Sequence, residues 1–323
     1  MTVDLALGIE IGGTKLQVVA GSSEERVEGA ARGAVDLARG PAGIRDTLDA
    51  LADDALAAAG ASGGKPVAVG IGFGGPVDSR AGRVLCSHQV PGWNDFELAA
   101  WARERWGAPA IVQNDASAAA WAEWRFGAGR GLRRLFYMTI GSGIGGGWVC
   151  DGRLDEGQGL GAAEIGHTWV ASPDGGFEKL ENLCSGWSIG RRATALLARN
   201  PGTGSLLAKA AGRTGGAVTA RDVSEAAEAG DALATSVMEE VTDALGAALG
   251  NVVALLNPER IVIGGGVSLM GGCLWTPLRR KVAQRGFAPF GANYDIVPAE
   301  LGESVVVRGA LSLAWILHAG DAP

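Results

Sequence analysis

No uninterrupted apolar stretch in this chain reaches the length that crosses a bilayer. No long run of Lys or Arg occurs, and the formal net charge is −7. A nucleic-acid footprint is basic and clustered, so neither membrane nor nucleic acid is an expected partner. The opening Met1-Thr2-Val3-Asp4-Leu5-Ala6-Leu7 lacks the charged region that begins a secretory signal. The four cysteines, at 86, 150, 184 and 273, lie far apart and form no Cys-x-x-Cys. That argues against a disulfide scaffold and reads as reduced thiols in a cytoplasmic protein. No Pro- or Ser-rich linker interrupts the chain, and the Walker A spacing is absent.

What is present is globular: 47% of residues are apolar and 20% charged. A length of 323 residues exceeds one small core and predicts two closely joined lobes. The 53 glycines show no collagen-like period and gather in pairs and triplets at the ends of apolar runs, which suits turns that approach a ligand closely. Residues 4–20 read strand, turn, strand around Gly12-Gly13-Thr14-Lys15. Helical spacing follows over 41–59 from Pro41, then a buried strand over 67–71 ending in Gly72-Phe73-Gly74-Gly75-Pro76. A helix is predicted over 96–106, a strand over 110–112 and a helix from Asp115 to Trp124. A second strand–turn–strand has arms at 135–140 and from Trp148, with the turn at 141–147. Its Thr139 lies 129 residues after Glu10, about one lobe's length, which suggests a duplicated architecture. Residues 187–256 are mostly helical, with caps at Thr219 and Asp231; a strand over 259–263 ends at Gly264-Gly265-Gly266, and a final helix covers 305–317.

Four segments could carry chemistry. Gly8-Ile9-Glu10-Ile11-Gly12-Gly13-Thr14-Lys15 is either an ordinary glycine hairpin or a turn whose N–H groups face phosphate while Glu10 holds magnesium through water. Thr139-Ile140-Gly141-Ser142-Gly143-Ile144-Gly145-Gly146-Gly147 contains G-x-G-x-G, but a strand rather than a helix follows, which favours a second phosphate-cradling hairpin over dinucleotide binding. Gln113-Asn114-Asp115-Ala116 precedes an alanine-rich helix, so Asp115 is either a helix cap or a general base at a strand end. Glu164-Ile165-Gly166-His167 is half of a di-iron pattern without a second copy, and a satisfied polar pair is the common fate of such a pattern.

In their order, Gly-Ile-Glu-Ile-Gly-Gly-Thr-Lys, Gly-Phe-Gly-Gly-Pro-Val-Asp, Asn-Asp-Ala-Ser-Ala-Ala, Ile-Gly-Ser-Gly-Ile-Gly-Gly-Gly, Ala-Glu-Ile-Gly-His and Ile-Gly-Gly-Gly-Val resemble the ROK family of repressors, open reading frames and kinases. The resemblance runs from about residue 5 to about residue 317. It implies an α/β, two-lobed actin/hexokinase-like (ribonuclease H-like) ATPase fold, with one lobe of residues 1–116 plus 305–323 and the other of 117–304. ATP and sugar are then expected in the cleft between the lobes. It also implies ATP-dependent phosphorylation of a hexose, glucokinase-like and at the 6-hydroxyl, with Mg²⁺ as cofactor and a cytoplasmic homodimer as the working form. By resemblance Asp115 is the base, and Gly75, Gln89, Asn114, Glu164, His167 and Glu181 bind the sugar. Glu10, Gly12, Gly13, Thr14, Lys15, Thr139, Gly141, Ser142 and Gly143 surround the phosphates, and Gly265 and Gly266 the adenosine.

Three departures stand out: Glu10 replaces the frequent Asp, Gln89 replaces the Asn before the Gly-Trp, and the cysteine-rich zinc segment after His167 is missing. No structural zinc or other protein-held metal is therefore expected, and Trp169, Phe177 and Leu180 are expected to brace the loop as an apolar cluster. The Gln89 and zinc-loop changes keep an aminosugar or cyclitol kinase as an alternative. A sugar-sensing repressor fits less well, because the first hairpin begins within ten residues of Met1 and leaves no room for a winged helix before it.

Overall fold

The computed structural model describes residues 3–87, 90–213, 215–291 and 293–321. The chain begins with β1 (Ala6–Ile11), β2 (Lys15–Gly21), β3 (Val27–Ala34), α1 (Gly40–Ala58) and β4 (Val69–Phe73). The two-residue strands β5 (Val77–Asp78) and β6 (Arg83–Val84), then α2 (Leu98–Trp106), β7 (Ala110–Asn114) and α3 (Asp115–Phe126) follow. Next come β8 (Arg134–Ile140), β9 (Ile144–Cys150), β10 (Arg153–Leu154), β11 (Trp169–Ala171) and β12 (Phe177–Lys179). Helices α4 (Leu180–Cys184), α5 (Gly186–Arg199), α6 (Leu206–Arg213), α7 (Ala220–Glu228) and α8 (Ala232–Leu256) lead to β13 (Arg260–Gly264), α9 (Gly272–Arg285), β14 (Asp295–Pro298) and α10 (Val305–Ala319). By internal packing one compact unit comprises Met1–Arg133, Gly147–Ala162 and Glu300–Pro323, and the other Arg134–Gly146 and Ala163–Ala299.

The first unit is built on a five-stranded sheet of order β3-β2-β1-β4-β7. The hairpin strands pair antiparallel, whereas β4 runs parallel to β1 and β7 parallel to β4. Every residue of β1 and β4 is buried, as strands covered on both faces must be. Leu7, Ile9, Leu16, Ile71 and Phe73 join Ile44 and Leu48 of α1 in one core, with Trp93 set edge-on to Phe73 at 5.5 Å between ring centroids. Helix α10 closes the sheet by direct backbone approach. A Cβ on Gly70 would lie 1.9 Å from the Ala310 carbonyl oxygen, and one on Gly309 2.0 Å from that of Ala118.

In the second unit β13 runs parallel to β8 and β14 parallel to β13. The sheet order β10-β9-β8-β13-β14 repeats that of the first sheet, a three-strand meander followed by two parallel strands. Strand β9 passes from one unit into the other at Gly146/Gly147. Glu10 and Thr139 are each the penultimate residue of the first parallel-paired strand of their sheet; Glu10 stands opposite Gly72, and Thr139 opposite Gly264. Helices α5 to α9 complete the unit. Thr219 caps α7 in a reciprocal box with Asp222, and Asp231 caps α8, as the sequence predicts. Between α8 and α9 the buried Lys281 ammonium donates to the Glu239 carboxylate at 2.6 Å, the Glu239 carbonyl at 2.8 Å and Thr242 Oγ1 at 2.9 Å, which uses all three of its hydrogens.

Some boundaries move for identifiable reasons. β4 runs to Phe73, because parallel pairing with β1 continues through Gly72 and Phe73. β9 starts at Ile144, so the turn between the arms is Gly141-Ser142-Gly143 and not seven residues long. The expected apolar cluster of Trp169, Phe177 and Leu180 does not form. β11 pairs with β12 so that Trp169 and Ala171 oppose Lys179 and Phe177, and Trp169 and Phe177 are 63% and 73% exposed. The ribbon is anchored instead by Val170, on the other face, and by Leu180, both buried.

Two glycine substitutions, one against α10 in the first unit and a reference in the second, set the scale of this packing. Gly70→Ala is expected to destabilise by about 3 kcal/mol or more, because backbone lies on the far side of the clash and cannot swing away. Gly212→Ala, in α6 with nothing within 4 Å of the added carbon, is expected to be neutral or to stabilise by about 0.5 kcal/mol. Urea midpoints of the two variants give the comparison; equal midpoints would refute the close approach of α10.

Candidate active site

Parallel pairing brings the carboxyl ends of β1, β4 and β7 to one edge of the first sheet. Glu10, Gly72 and Gln113 form one register row, and Ile11, Phe73 and Asn114 the next. Ligands of open α/β sheets bind beyond such an edge, and three of the four segments singled out from sequence leave from the ends of β1, β7 and β8.

At this first edge the helix cap is Asn114, not Asp115. Its backbone is extended, and its Oδ1 accepts from the N–H groups of Ala116 at 2.9 Å and Ser117 at 3.1 Å. Its Nδ2 donates to the Gly75 carbonyl at 3.1 Å, tying the β7 end to the β4 end. Asp115 is thereby released from capping and becomes the first residue of α3. Its Oδ1 accepts from the Ala116 N–H at 2.8 Å. Its Oδ2 faces the glycine turns: a Cβ on Gly74 would lie 3.5 Å from Oδ2 and 3.5 Å from Gly12 Cα.

Glu10 is buried, with Lys15 Nζ 3.3 Å from one oxygen and Gln17 Nε2 donating at 2.7 Å to the other. Burial pushes its carboxyl above the ordinary range, against the pull of Lys15 and Gln17. The hairpin is closed by the Gly12 N–H donating to the Lys15 carbonyl at 3.1 Å, and Thr14 at its tip is exposed. Gln17 was not singled out from sequence, although a polar residue inside Leu16-Gln17-Val18-Val19-Ala20 was a usable signal. Gln113 and Glu156 were missed too. Gln113 is buried, accepts from the Asn114 N–H at 2.8 Å and donates from Nε2 to Glu156 Oε1.

The second unit has the corresponding edge at the ends of β8 and β13. Gly141, Ser142 and Gly143 turn the chain, with the Gly141 N–H donating to the Gly143 carbonyl at 2.9 Å. The Gly186 N–H, at the start of α5, donates to the Gly141 carbonyl at 2.8 Å. Gly265 has φ +81 and leads into a short turn over Gly266–Leu269. An added Cβ at Gly141 or Gly266 would meet nothing within 4 Å, so both present bare backbone to open space. Glu181 accepts from the Ile144 N–H at 2.7 Å, and a Cβ on Gly143 would lie 2.5 Å from the same carboxylate oxygen. One oxygen of Glu181 thus braces the hairpin turn. Thr139 sits in β8 opposite Gly264.

Glu164 is exposed and precedes a single 3₁₀ turn over Ile165–His167, its carbonyl accepting from the His167 N–H at 3.0 Å. Lys179 Nζ lies 3.3 Å from His167 Nδ1. His88 and Gln89 lie outside the described residues. Among the described residues no group of three or more His, Cys, Asp or Glu is placed to hold a metal. Cys184 is buried beneath α8 with its thiol pushed far up by desolvation.

A family model described as the ROK family matches residues 6–316. The glucokinase of Thermotoga maritima is 34% identical over 251 residues, 76% of this chain and 78% of its own length. The glucokinase of Streptomyces coelicolor is 31% identical over 320 residues, 96% and 97% of the two chains. The crystal structure of a ROK family glucokinase from Streptomyces griseus, in complex with glucose and AMPPNP, superposes with a TM-score of 0.79 at 32% identity, over 96% of this chain and 99% of that one. The repeated sheet order is that of the actin/hexokinase-like ATPase fold. From β1 into α10, in sequence match and in strand order alike, this chain belongs to the ROK family.

Proposed function

We propose that this protein is an ATP-dependent hexose kinase that phosphorylates the 6-hydroxyl of glucose or a close relative. The observation that carries the reading is Asp115. Its cap duty is taken by Asn114, one oxygen is held by the Ala116 N–H, and the other faces the Gly74 and Gly12 turns. Such a carboxylate can take the proton of an attacking hydroxyl as the phosphoryl group arrives. Gly75 and Asn114 at the first edge, with Gln89, Glu164, His167 and Glu181, are assigned to the sugar; their neutral and acidic groups suit a polyhydroxyl ligand. Gly12, Gly13, Thr14 and Lys15, with Thr139, Gly141, Ser142 and Gly143, are assigned to the phosphates, and Gly265 and Gly266 to the adenosine. Phosphoryl transfer needs alignment and charge neutralisation more than covalent help. Mg²⁺ arriving with the nucleotide supplies neutralisation, and Glu10 is the side chain that would hold it through water. Family resemblance supports a cytoplasmic homodimer as the working form, and the missing cysteine-rich segment after His167 supports a protein without structural zinc; among the described residues no helix is long and apolar enough to cross a membrane.

Coupled ADP release over a panel of hexoses, aminosugars and cyclitols tests the reading, with glucose expected among the best acceptors. ADP release no faster with any sugar than without one would reject it.

Three variants address the assignments. Asp115→Asn is expected to lower kcat by ~10²–10⁴ while the melting temperature stays close to the parent's, because Asn114 still caps α3. Near-normal turnover would remove Asp115 from the chemistry. Gly141→Val is expected to raise the KM for ATP with sugar KM unchanged, since its side chain enters open space. Gly143→Val is a poorer probe, because its first carbon meets Glu181. An ATP KM equal to the parent's in Gly141→Val would move the nucleotide elsewhere.

Glu10→Gln gives the pH test. A carboxyl whose pKa is higher folded than unfolded costs stability above the folded value, and that cost vanishes as pH falls below the unfolded value. The glutamine variant is therefore expected to match or exceed the parent's stability at about pH 8, with the margin closing toward about pH 4, while its ATP turnover drops. A parent that is the more stable protein at the higher pH would contradict the desolvated carboxylate.

A further inference from the structure

We propose that Glu156 is a positioning residue for phosphoryl transfer, acting through Gln113 on Asn114 and its neighbour Asp115. The inference rests on the kinase reading above and deepens it.

Gln113 is the penultimate residue of β7 and its side chain is buried. A primary amide buried in this way must find partners for its oxygen and its nitrogen. The oxygen accepts from the N–H of Asn114, the residue whose side chain caps α3 and holds the Gly75 carbonyl. The nitrogen donates to Glu156 Oε1. An ionised acceptor makes this the stronger kind of hydrogen bond. A chain of bonds thus runs from Glu156 to Gln113 to Asn114 to Gly75, and Asp115 is the next residue after its third member.

Glu156 is itself held. It follows β10 in a loop that begins with the Asp155 N–H donating to the Trp148 carbonyl at 2.8 Å. Its carbonyl accepts from the Gly159 N–H at 2.8 Å, and the Gly159 carbonyl accepts from the Ser79 N–H at 3.1 Å and Ser79 Oγ at 3.2 Å. Ser79 immediately follows β5, just beyond Gly74 and Gly75. The loop is therefore fastened both to the β4 side and to the β7 side of the edge that presents Asp115. Beyond Glu156 the chain passes through left-handed positions at Gly157, Gly159, Gly161 and Ala163 to Glu164 and His167, the residues assigned to the sugar. Glu156 stands where the segment bearing those sugar residues is anchored to the strand bearing the base. Its loss should act on the sugar half of the reaction and spare the nucleotide half.

The test uses the full chain and the variants Glu156→Ala and Glu156→Gln. Measured are KM for glucose, KM for ATP, kcat, and amide hydrogen exchange at residues 114–117 without ligand. Glu156→Ala leaves the Gln113 nitrogen without its acceptor, so kcat/KM for glucose is expected to fall roughly 10- to 100-fold. The KM for ATP is expected to move less than about 2-fold, and the Asn114 and Ala116 amides to exchange faster, since a local opening is exposed without global unfolding. Glu156→Gln keeps an amide oxygen that accepts from Gln113 and is expected to recover most of both losses. Equal losses against glucose and ATP, unchanged exchange at 114–117, or a glutamine variant as impaired as the alanine one would each overturn the proposal. Should the parent show no sugar-dependent ADP release, the kinase reading falls by itself. The exchange comparison then still decides whether Glu156 orders the Asn114 segment.

Discussion

Parallel register between β1, β4 and β7 is the constraint on which the rest of the first unit depends. It sets Ile11, Phe73 and Asn114 in one row, so the chain must leave the sheet at the same edge three times. Each exit is then short of backbone partners, and each is met by a different device. After β1 the Gly12 N–H turns back to the Lys15 carbonyl. After β4 the Gly74 N–H reaches the Ile11 carbonyl at 2.8 Å. After β7 Asn114 caps α3 with one side-chain atom and holds Gly75 with another. The second sheet repeats the arrangement with β8 and β13, and there the glycines at 141 and 265–266 stand at the edge.

Burial explains why the polar groups at this edge are networked. Glu10, Gln17 and Gln113 are almost wholly removed from water, and each is satisfied by a named partner. Gln17 also donates to the Glu303 carbonyl at 3.0 Å, so residues near the start of α10 take part in holding the first hairpin. Glu123, buried in α3, plays a comparable part away from the edge. Its carboxylate accepts from the Ala128 N–H at 2.9 Å and the Leu301 N–H at 2.9 Å, joining the end of α3 to the segment that enters α10. With the Glu300 N–H at 3.2 Å as a third donor, this one carboxylate ties two chain segments together. Alongside these ties, α10 approaches the sheet closely at Gly70 and α3 at Gly309.

Much of the edge was legible because its signals are local. Apolar runs that end in glycine marked β1, β4, β8 and β13, and Glu10 and Thr139 are each the penultimate residue of their strand. Asn114-Asp115 could be read as a cap and as a base; the structure gives the cap to Asn114, and Asp115, the first residue of α3, is the one proposed as base. The loop after His167 was read less well. Hydrophobicity marked Trp169 and Phe177 as packing residues, whereas strand alternation put both on the outer face of a ribbon and turned Val170 inward. One residue of phase decides burial in a strand of three, and composition does not contain that phase.

The sequence by itself determined which segments are strands that run into glycine turns, and the family, because each depends on residues adjacent in the chain. Only the tertiary structure decided which side chains those turns are tied to. Glu156 lies 43 positions from Gln113, Glu181 lies 37 from Ile144, and Gln17 lies 286 from Glu303. No periodicity or local propensity couples residues at such separations. They meet because a buried amide or carboxylate requires a partner and sheet register determines which one is within reach.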